Sequence, residues 1–266
     1  KGVDITLNTI NVQRIIAWFS TFLFSYGNDK VTTYLLPPIS ALGGIVVGKP
    51  LLNVYAFKWG GLDPQTGDPQ GYLNGVLSKD YANLIANATP ENLDYMGSTR
   101  PKYFGALRNS VAFGGFELSA NISYRLGYVF RRNSIRYYST LISAVDNGLV
   151  SGHGDYAQRW KKSGDELITN VPSTSTTATV NRDNFYANSS VLVEKGDHIR
   201  LEEIMLNYSL KGIKGLKKPF NTLNFYMYSR NLGMLWKATK LDIDPDYSTA
   251  QYLPSKTFAA GLRMNF

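Results

Sequence analysis

The sequence predicts an all-β fold, an antiparallel sheet that forms part of a transmembrane β-barrel. Three observations support this prediction. Apolar and polar residues alternate over several stretches, most clearly between residues 116 and 131. The 266 residues include 18 Tyr and 13 Phe, which favour strands, while charged residues reach only 18% against about 25% in soluble domains. No apolar run approaches the roughly 20 residues of a membrane helix, so only strands of this chain could cross a bilayer.

The first two predicted strands lie near the start of the chain. Val3, Ile5 and Leu7 alternate with polar residues, which is the period of a strand with one apolar face. The stretch from Ile15 to Tyr26 is apolar on both faces, so its inward face is ambiguous. A few residues around 11–14 connect these two strands.

The next two strands form the clearest hairpin in the sequence. Residues 103–113 alternate up to Gly114-Gly115, a two-residue hairpin turn. The following stretch is apolar at every even position from Phe116 to Phe130, so we expect one strand of sixteen residues ending at Arg131. At about 3.3 Å per residue this strand would span roughly 50 Å, which suits a tilted barrel strand.

Three further alternating stretches complete a set of seven strands, at 204–210, 223–228 and 257–266. Short links alternate with long ones, and the long ones cover about 28–101, 132–197 and 232–255. In an up-and-down sheet this alternation places every short turn at one end and every long loop at the other, as in outer-membrane barrels. The strand-like piece Pro50–Trp59 must then lie within the first long loop.

The number of strands also bears on completeness. Seven is odd and below the eight strands of the smallest bacterial barrels, and an open sheet would expose edges and a large apolar face. No basic and apolar leader opens the chain. We therefore expect residues 1–266 to be the C-terminal part of a longer barrel protein.

Several stretches in a fixed order resemble a known family. They are Lys1-Gly-Val-Asp-Ile-Thr-Leu-Asn8, Phe22-Leu-Phe-Ser-Tyr-Gly-Asn-Asp-Lys-Val31, Gly61-Leu-Asp-Pro-Gln-Thr-Gly-Asp-Pro-Gln70, Gly97-Ser-Thr-Arg-Pro-Lys-Tyr-Phe-Gly105, Asp155-Tyr-Ala-Gln-Arg-Trp160, Asp197-His-Ile-Arg-Leu-Glu-Glu-Ile-Met-Leu-Asn-Tyr-Ser-Leu210 and Lys256-Thr-Phe-Ala-Ala-Gly-Leu-Arg-Met-Asn-Phe266. Together they span nearly the whole chain. The sequence resembles the C-terminal barrel portion of the SusC/RagA class of TonB-dependent outer-membrane transporters of Bacteroidetes-type bacteria.

The resemblance implies a barrel of about 22 strands, of which this chain supplies roughly a third of the wall. It implies a plug domain and a TonB-binding region upstream, both absent from this chain, and a SusD-like surface lipoprotein over the outer mouth. Its function would be active import of oligosaccharides or oligopeptides across the outer membrane. The final strand carries a match to the barrel-assembly signal at Gly261, Met264 and Phe266, with Ala259 where a polar residue is usual.

The sequence offers little material for catalysis or for cofactors, and we expect neither. It has no Cys and only two His, and it lacks the metalloprotease and serine-hydrolase motifs. Asp242, Asp244 and Asp246 are spaced like ligands of an ion-binding loop, but a solvated loop is favoured over calcium because the glycine and distal glutamate of such loops are missing. The net charge of +8 comes from dispersed Lys and Arg, which argues against nucleic acid.

The long connections hold the candidate binding surface. They carry stacking rings beside charged hydrogen-bonding groups, which is the chemistry that binds sugars and peptides. The candidate residues for substrate binding or for a loop interface are Trp59, Tyr72, Arg131, Arg132, Trp160, Arg182, Asp183, Tyr186 and Trp236. The alternative at each position is a side chain that only packs the loop onto itself.

Two other readings of the whole chain stay open. A barrel-like component of the cell surface, such as an adhesin or part of a secretion assembly, would use the same strands without transport of its own. A soluble carbohydrate-binding β-sandwich would need shorter strands and a hydrophilic outer face, which the alternation at 116–130 argues against.

Overall fold

The computed structural model describes residues 1–35, 42–138, 153–174, 179–211, 222–248 and 252–265. The chain forms two compact units. The first, called the sheet unit, comprises residues 1–28, 101–128 and 196–266; the second, called the connection unit, comprises residues 29–100 and 129–195. Within the described ranges, no helix is both long and apolar enough to cross a membrane.

The secondary structure is dominated by strands. In chain order they are β1 Gly2–Gln13, β2 Ile16–Gly27, β3 Asn53–Ala56, β4 Gly71–Leu73, β5 Val76–Ser78, β6 Asp94–Ser98, β7 Tyr103–Phe113, β8 Phe116–Leu126, β9 Val129–Arg131, β10 Val193–Lys195, β11 His198–Lys211, β12 Thr222–Lys237 and β13 Thr257–Asn265. The α-helices whose bounds lie within the described ranges are α1 Tyr81–Ala86 and α2 Val180–Ala187, and 3-10 turns there cover Gly154–Gln158, Asp165–Leu167, Ser190–Leu192 and Pro245–Tyr247.

Seven strands of the sheet unit form one antiparallel sheet in the order β1-β2-β7-β8-β11-β12-β13. Each strand pairs with its predecessor and its successor among the seven, so the predicted up-and-down order is confirmed. The short links 14–15, 114–115 and 212–221 follow the odd-numbered strands of this order, and the long links follow the even-numbered ones. The strand ends that the short links join therefore lie at one end of the sheet, as the alternation of lengths predicted.

The register gives the sheet two chemically different faces, because residues directly opposite each other point to the same side. One complete row across the seven strands is Val12, Trp18, Val111, Leu118, Leu206, Met227 and Ala260. Its six larger side chains are 39 to 60% exposed. We call this side the apolar face.

The opposite side is called the polar face. A complete row of it consists of Asn8, Thr21, Arg108, Asn121, Glu203, Arg230 and Thr257. A sheet with a polar face of this kind and exposed apolar side chains on the other matches the pattern of a barrel wall between lipid and an aqueous interior.

One predicted strand is wrong in its last part. The stretch from Phe116 does not run to Arg131, because Gly127 has a φ of +78° and leaves the strand direction. The Asp197 carboxylate accepts hydrogen bonds from the backbone N–H of Gly127 and Tyr128, at 2.6 and 3.4 Å. The chain then enters the connection unit, where β9 pairs with β10. Arg131 therefore does not lie on the polar face of the sheet, where the alternation had placed it.

The connection unit is built from the first two long connections together. Its core cluster contains Tyr55, Phe57, Leu84 and Leu93 from the first connection and Phe185 from the second. The rings of Phe57 and Phe185 are 5.1 Å apart, and their neighbouring backbone segments form a bridge between Phe57 and Ser189. The strand β3 at Asn53–Ala56 belongs to this unit and pairs with β6, which confirms that the piece around residue 50–59 lies in the first long connection.

Candidate functional site

The helix α2 presents several predicted binding residues of the second connection. The Thr179 hydroxyl caps it by accepting a hydrogen bond from the Arg182 N–H at 3.2 Å. Arg182 is 3% exposed, and its Nε donates to Asp68 Oδ1 at 2.7 Å while Nη2 donates to the Ser173 carbonyl at 2.9 Å. This ion pair, in which Arg182 is buried and Asp68 is partly exposed, joins the second connection to the Asp68 turn of the first.

Asp183 and Tyr186 are also buried inside the connection unit. The Asp183 carboxylate accepts a hydrogen bond from the Tyr138 N–H at 2.8 Å. The Tyr186 hydroxyl lies 3.2 Å from the Ser134 hydroxyl, and burial raises the pKa of Tyr186 to about 12. Its ring packs 5.8 Å from the ring of Trp59. These side chains hold the connection unit together in the structure.

Arg132 forms another charged contact within the connection unit. It lies 2.5 Å from Asp155, which also accepts a hydrogen bond from the Ser134 hydroxyl at 2.5 Å. Burial alone would raise the pKa of Asp155, but the hydrogen bonds from Ser134 and Arg132 and the charge of Arg132 hold that pKa below its ordinary value. Asp155 is therefore ionised at neutral pH.

Arg131 and Trp160 are engaged in local contacts as well. Arg131 donates to the Tyr55 carbonyl at 2.7 Å and to the Asn188 side chain. The Trp160 indole donates to Glu166 at 3.1 Å, and its ring covers Gly67, where a Cβ would overlap it. Trp59 donates from its indole to Asn170 at 3.3 Å.

Tyr72 and Trp236 differ from the other candidate rings because the two residues are exposed, by 46 and 49%. Tyr72 lies on β4 of the connection unit. Trp236 lies on β12 opposite Ile199 and on the same face as Tyr124, near the end of the sheet where the long connections leave. A role of the nine residues in binding stays a prediction, but the structure makes Tyr72 and Trp236 the most accessible rings among them.

The Asp242, Asp244 and Asp246 segment forms an ion-pair network within the sheet unit. Asp244 accepts from Arg200 Nη2 with both oxygens, at 2.6 and 2.7 Å. Asp246 contacts Arg125 at 2.7 Å and the Nε2 of the buried His198 at 3.2 Å.

Asp242 points into solvent, with Lys237 3.9 Å away. Arginines take the carboxylates that calcium would need, and the described residues contain no group of three or more side chains suited to a metal. The structure gives the calcium hypothesis no support.

Burial would raise the pKa of Asp246, but the hydrogen bond and charge of His198, with Arg125 and Arg200, hold it below its ordinary value. The network joins Asp244 and Asp246 of the third connection to β8 and β11. The sequence signal for it was the Asp spacing, but nothing in the sequence pointed to Arg125, His198 and Arg200 as partners.

The predicted assembly signal lies on β13. Gly261 is opposite Tyr226 on the polar face, and a Cβ at this position would overlap the Tyr226 ring, which explains a glycine here. Met264 lies on the apolar face, 44% exposed. Phe266 lies outside the described residues.

Comparisons with known proteins were made for the sequence and for the fold. No protein-family model and no curated protein matches the sequence. Among solved structures, a chain of the RagAB peptide importer in its open-open state matches all of this chain with a TM-score of 0.69 and 21% identity, over 28% of its own length. The RagAB peptide transporter and the closed-closed state of the importer match with TM-scores of 0.69, at 20 and 21% identity and over 29% of their chains.

These matches show the fold. The chain spans less than a third of the length of the chains that it matches, and it has the antiparallel fold of part of a β-barrel transporter. The similar structures are described as a peptide importer and a peptide transporter.

Proposed function

We propose that this chain forms part of the outer-membrane barrel wall of a TonB-dependent nutrient importer of the SusC/RagA type. The observation that supports the proposal most directly is the pair of complete rows across seven strands, one apolar and exposed and one polar. The match of the whole chain to the RagAB peptide importer fold supports the same proposal.

In this proposal the apolar face contacts outer-membrane lipid and the polar face lines the barrel interior. The sheet would be a passive wall, because each strand is hydrogen-bonded to its neighbours. Energy would reach the transporter through TonB acting on a region outside this chain.

The connection unit would form outer loops that meet the substrate and a SusD-like lipoprotein. The Arg182–Asp68 pair fixes the two long connections against each other and the Arg132–Asp155 pair acts within the second, so that exposed groups such as Tyr72 would be presented from a rigid base. Oligopeptides or oligosaccharides are the proposed cargo, and a Bacteroidetes-type bacterium is the proposed source.

An uptake experiment tests the proposal. The gene of the complete protein is deleted, and uptake of fluorescent oligopeptides and oligosaccharides is compared in wild-type, deleted and complemented cells, with and without a functional TonB. We expect uptake of one class to be lost on deletion and on loss of TonB, and restored by complementation. Unchanged uptake of both classes would favour the adhesin or secretion-assembly alternative.

A further inference from the structure

Polar side chains interrupt the apolar face of the sheet on its first three strands. Thr9, Ser20 and Asn109 lie directly opposite one another on β1, β2 and β7, and Asn11 joins them from an irregularity in β1. We call these four residues the amide patch. The neighbouring rows of the same face are apolar, with Leu7, Phe22 and Leu107 on one side and Val12, Trp18 and Val111 on the other.

The amide patch forms one hydrogen-bonded network. Thr9 Oγ1 donates to Asn11 Oδ1 at 3.0 Å, and Asn11 Nδ2 donates to Ser20 Oγ at 2.6 Å. Asn109 Oδ1 accepts from Ser20 Oγ at 2.6 Å and from the Trp18 indole at 3.1 Å. Because an indole N–H only donates, the atom that faces it must be the oxygen of the Asn109 amide.

This assignment leaves the two N–H donors of Asn109 Nδ2 without an acceptor. Within the described part of the chain, no residue accepts a hydrogen bond from this group. The Asn109 side chain is partly exposed on the apolar face, so the donors are accessible from outside the sheet. Hydrocarbon offers no acceptor, and an unpaired donor in a bilayer costs free energy. We therefore expect a partner with an acceptor to cover the Asn109 amide.

The amide patch lies near the middle of the apolar face. Aromatic side chains mark both ends of this face, since Phe113 is opposite Phe116 at the end with the short links and Tyr26 is opposite Tyr103 at the other end. Asn109 is four residues from Phe113 and six from Tyr103 on β7, which is about 13 and 20 Å. In outer-membrane barrels aromatic girdles border an apolar band about 25 Å tall, which these ends match at the usual strand tilt of about 40°. In a membrane wall the patch would therefore lie in the hydrocarbon layer, away from the headgroups.

Depth, charge and symmetry select the partner. It must offer an acceptor at this depth, which acyl chains lack and which headgroups at the aromatic ends do not supply. It needs no charge, because the amide patch has none. A second copy inserted in the same orientation meets both conditions, since a two-fold axis along the membrane normal brings the same patch to the same depth. An Asn amide is both donor and acceptor, so two copies can pair amide to amide.

We propose that the amide patch is the centre of a contact between two copies of this protein within the membrane, with Asn109 Nδ2 of each copy donating to an oxygen of the other copy's patch. The contact is centred on β2, so that the apolar face from β8 to β13 stays in contact with lipid. The inference rests on the proposed function in that the apolar face must lie in a membrane.

Photocrosslinking in cells tests this contact. The photoreactive residue p-benzoylphenylalanine replaces Leu7 of the complete protein, because Leu7 is 53% exposed in the apolar row next to the patch. Two copies with different affinity tags are produced together, and adducts purified on one tag are probed for the other. We expect an adduct of two copies that carries both tags. Adducts with lipid alone, or with a different protein, would overturn the inference.

Asn109→Leu tests whether the amide patch holds the two copies together. It should lower the yield of the two-copy adduct about fivefold, because hydrogen bonds between amides in the membrane are lost. Asn121→Leu is the matched control, since Asn121 lies on the polar face of the neighbouring β8, and it should leave the yield unchanged. Yields are divided by the amount of heat-modifiable protein, so that a folding defect is not counted as a lost contact. An equal yield from Asn109→Leu and the wild type would contradict a role of the patch.

The same photoreactive residue at position 227 separates this inference from the proposed function. Met227 is 60% exposed in the apolar row on β12, away from the patch, and we expect lipid adducts there. Lipid adducts at position 227 together with lipid adducts alone at position 7 would overturn the contact and leave the membrane wall standing. A two-copy adduct at position 7 without lipid adducts at position 227 would contradict the wall and leave the contact between copies standing.

Discussion

Asp246 is the residue at which the charges of the third connection converge. Its carboxylate meets Arg125 at 2.7 Å, His198 at 3.2 Å and Arg200 at 3.5 Å. His198 is completely buried and Arg200 is 7% exposed, so their charge is poorly solvated without this partner. Removing one partner of a buried pair costs more than the pair contributes, because the other charge stays uncompensated.

The first prediction concerns this carboxylate. Asp246→Asn should destabilise the local structure by about 2–3 kcal/mol, because several cations lose a shared counter-ion. Amide hydrogen exchange at 197–200 and 244–248 should become faster. Asp242→Asn is the matched control, because Asp242 is fully exposed and its one ion-pair contact, to Lys237, is long at 3.9 Å. This variant should leave amide exchange unchanged. Equal exchange in the two variants would refute a stabilising role for Asp246.

The second prediction concerns pH and Asp155. Its pKa is held below the ordinary 3.8, so its contribution to stability is complete above that value and is lost as the pH falls through the lower folded-state value. Exchange in 153–160 should therefore accelerate below about pH 4. Asp155→Asn should lower the free energy of local opening at pH 7 by about 1–2 kcal/mol, so that amide exchange in this segment is faster than in the wild type. This variant should also lack the acid-dependent step that is due to the Asp155 carboxyl.

Glu91→Gln is the control for Asp155, because Glu91 is an exposed carboxylate of the same unit. It should preserve the behaviour of the wild type at both pH values. An acid-dependent step of the same size in Asp155→Asn would show that another group causes it.

At the scale of elements, neighbouring strands approach each other so closely that one position of the sheet has room only for glycine. A Cβ at Gly105 on β7 would overlap the Leu23 carbonyl of β2 and lie 2.6 Å from the Tyr124 hydroxyl of β8. The Tyr124 hydroxyl donates to that same carbonyl at 3.0 Å. A side chain at residue 105 would therefore overlap the backbone of β2. That backbone cannot move away without disturbing two strand pairs.

The third prediction is that Gly105→Ala destabilises the barrel by about 1–3 kcal/mol, as overpacking does elsewhere. The measurement is the temperature at which the complete protein loses its heat-modifiable electrophoretic form. Gly27→Ala is the control, because a Cβ at Gly27 at the end of β2 meets nothing within 4 Å. A transition at the same temperature for both variants would contradict the proposed crowding at Gly105.

Strand alternation predicted six of the seven sheet strands, because the period of two depends on local sequence alone. The remaining stretch, Ile15 to Tyr26, is apolar on both faces, and the order of the strands followed from the lengths of the links. Alternation failed where backbone conformation broke the period. Gly127 turns the chain out of β8, and register shifts at Ile10/Val12 and Leu201/Glu203 insert residues that alternation cannot anticipate. The apolar even positions after Gly127 continued the pattern by coincidence, because Tyr128 contacts His198 beside the sheet and Phe130 lies on β9 of the connection unit.

For the candidate binding residues, the sequence predicted the chemistry of the side chains but not their burial. Rings and charges in long connections indicated a surface for ligands, but Arg182, Asp183 and Tyr186 are 2 to 5% exposed. They are buried because two connections that are far apart in sequence share one core, which no local pattern reveals.

At the scale of the whole molecule, the two faces of the sheet determine where the chain belongs. Met205 and Met227 offer a matched pair on neighbouring strands. Met227 lies in the apolar row and is 60% exposed, whereas Met205 lies on the polar face between Glu203 and Asn207. A charge should therefore have opposite consequences at the two positions if one face meets lipid.

The fourth prediction is that Met227→Lys lowers the amount of folded protein in the outer membrane, because lysine on a lipid face costs about 2–4 kcal/mol near the bilayer midplane. Met205→Lys should assemble normally. Quantitative immunoblots of heat-modifiable protein in membrane fractions measure both. Normal assembly of both variants would contradict a lipid contact at Met227.

The central claim is that the seven-stranded sheet is a membrane wall with one face in lipid. The sequence has no cysteine, so single cysteines can be placed at residues 117–124 of β8 in the complete protein with any other cysteine replaced, and labelled with a fluorophore. In bilayers with nitroxide-labelled lipid, we predict quenching at the even positions, which include Leu118 and Ile122, and little at the odd ones. Quenching without alternation, or no quenching at either set, would contradict the account.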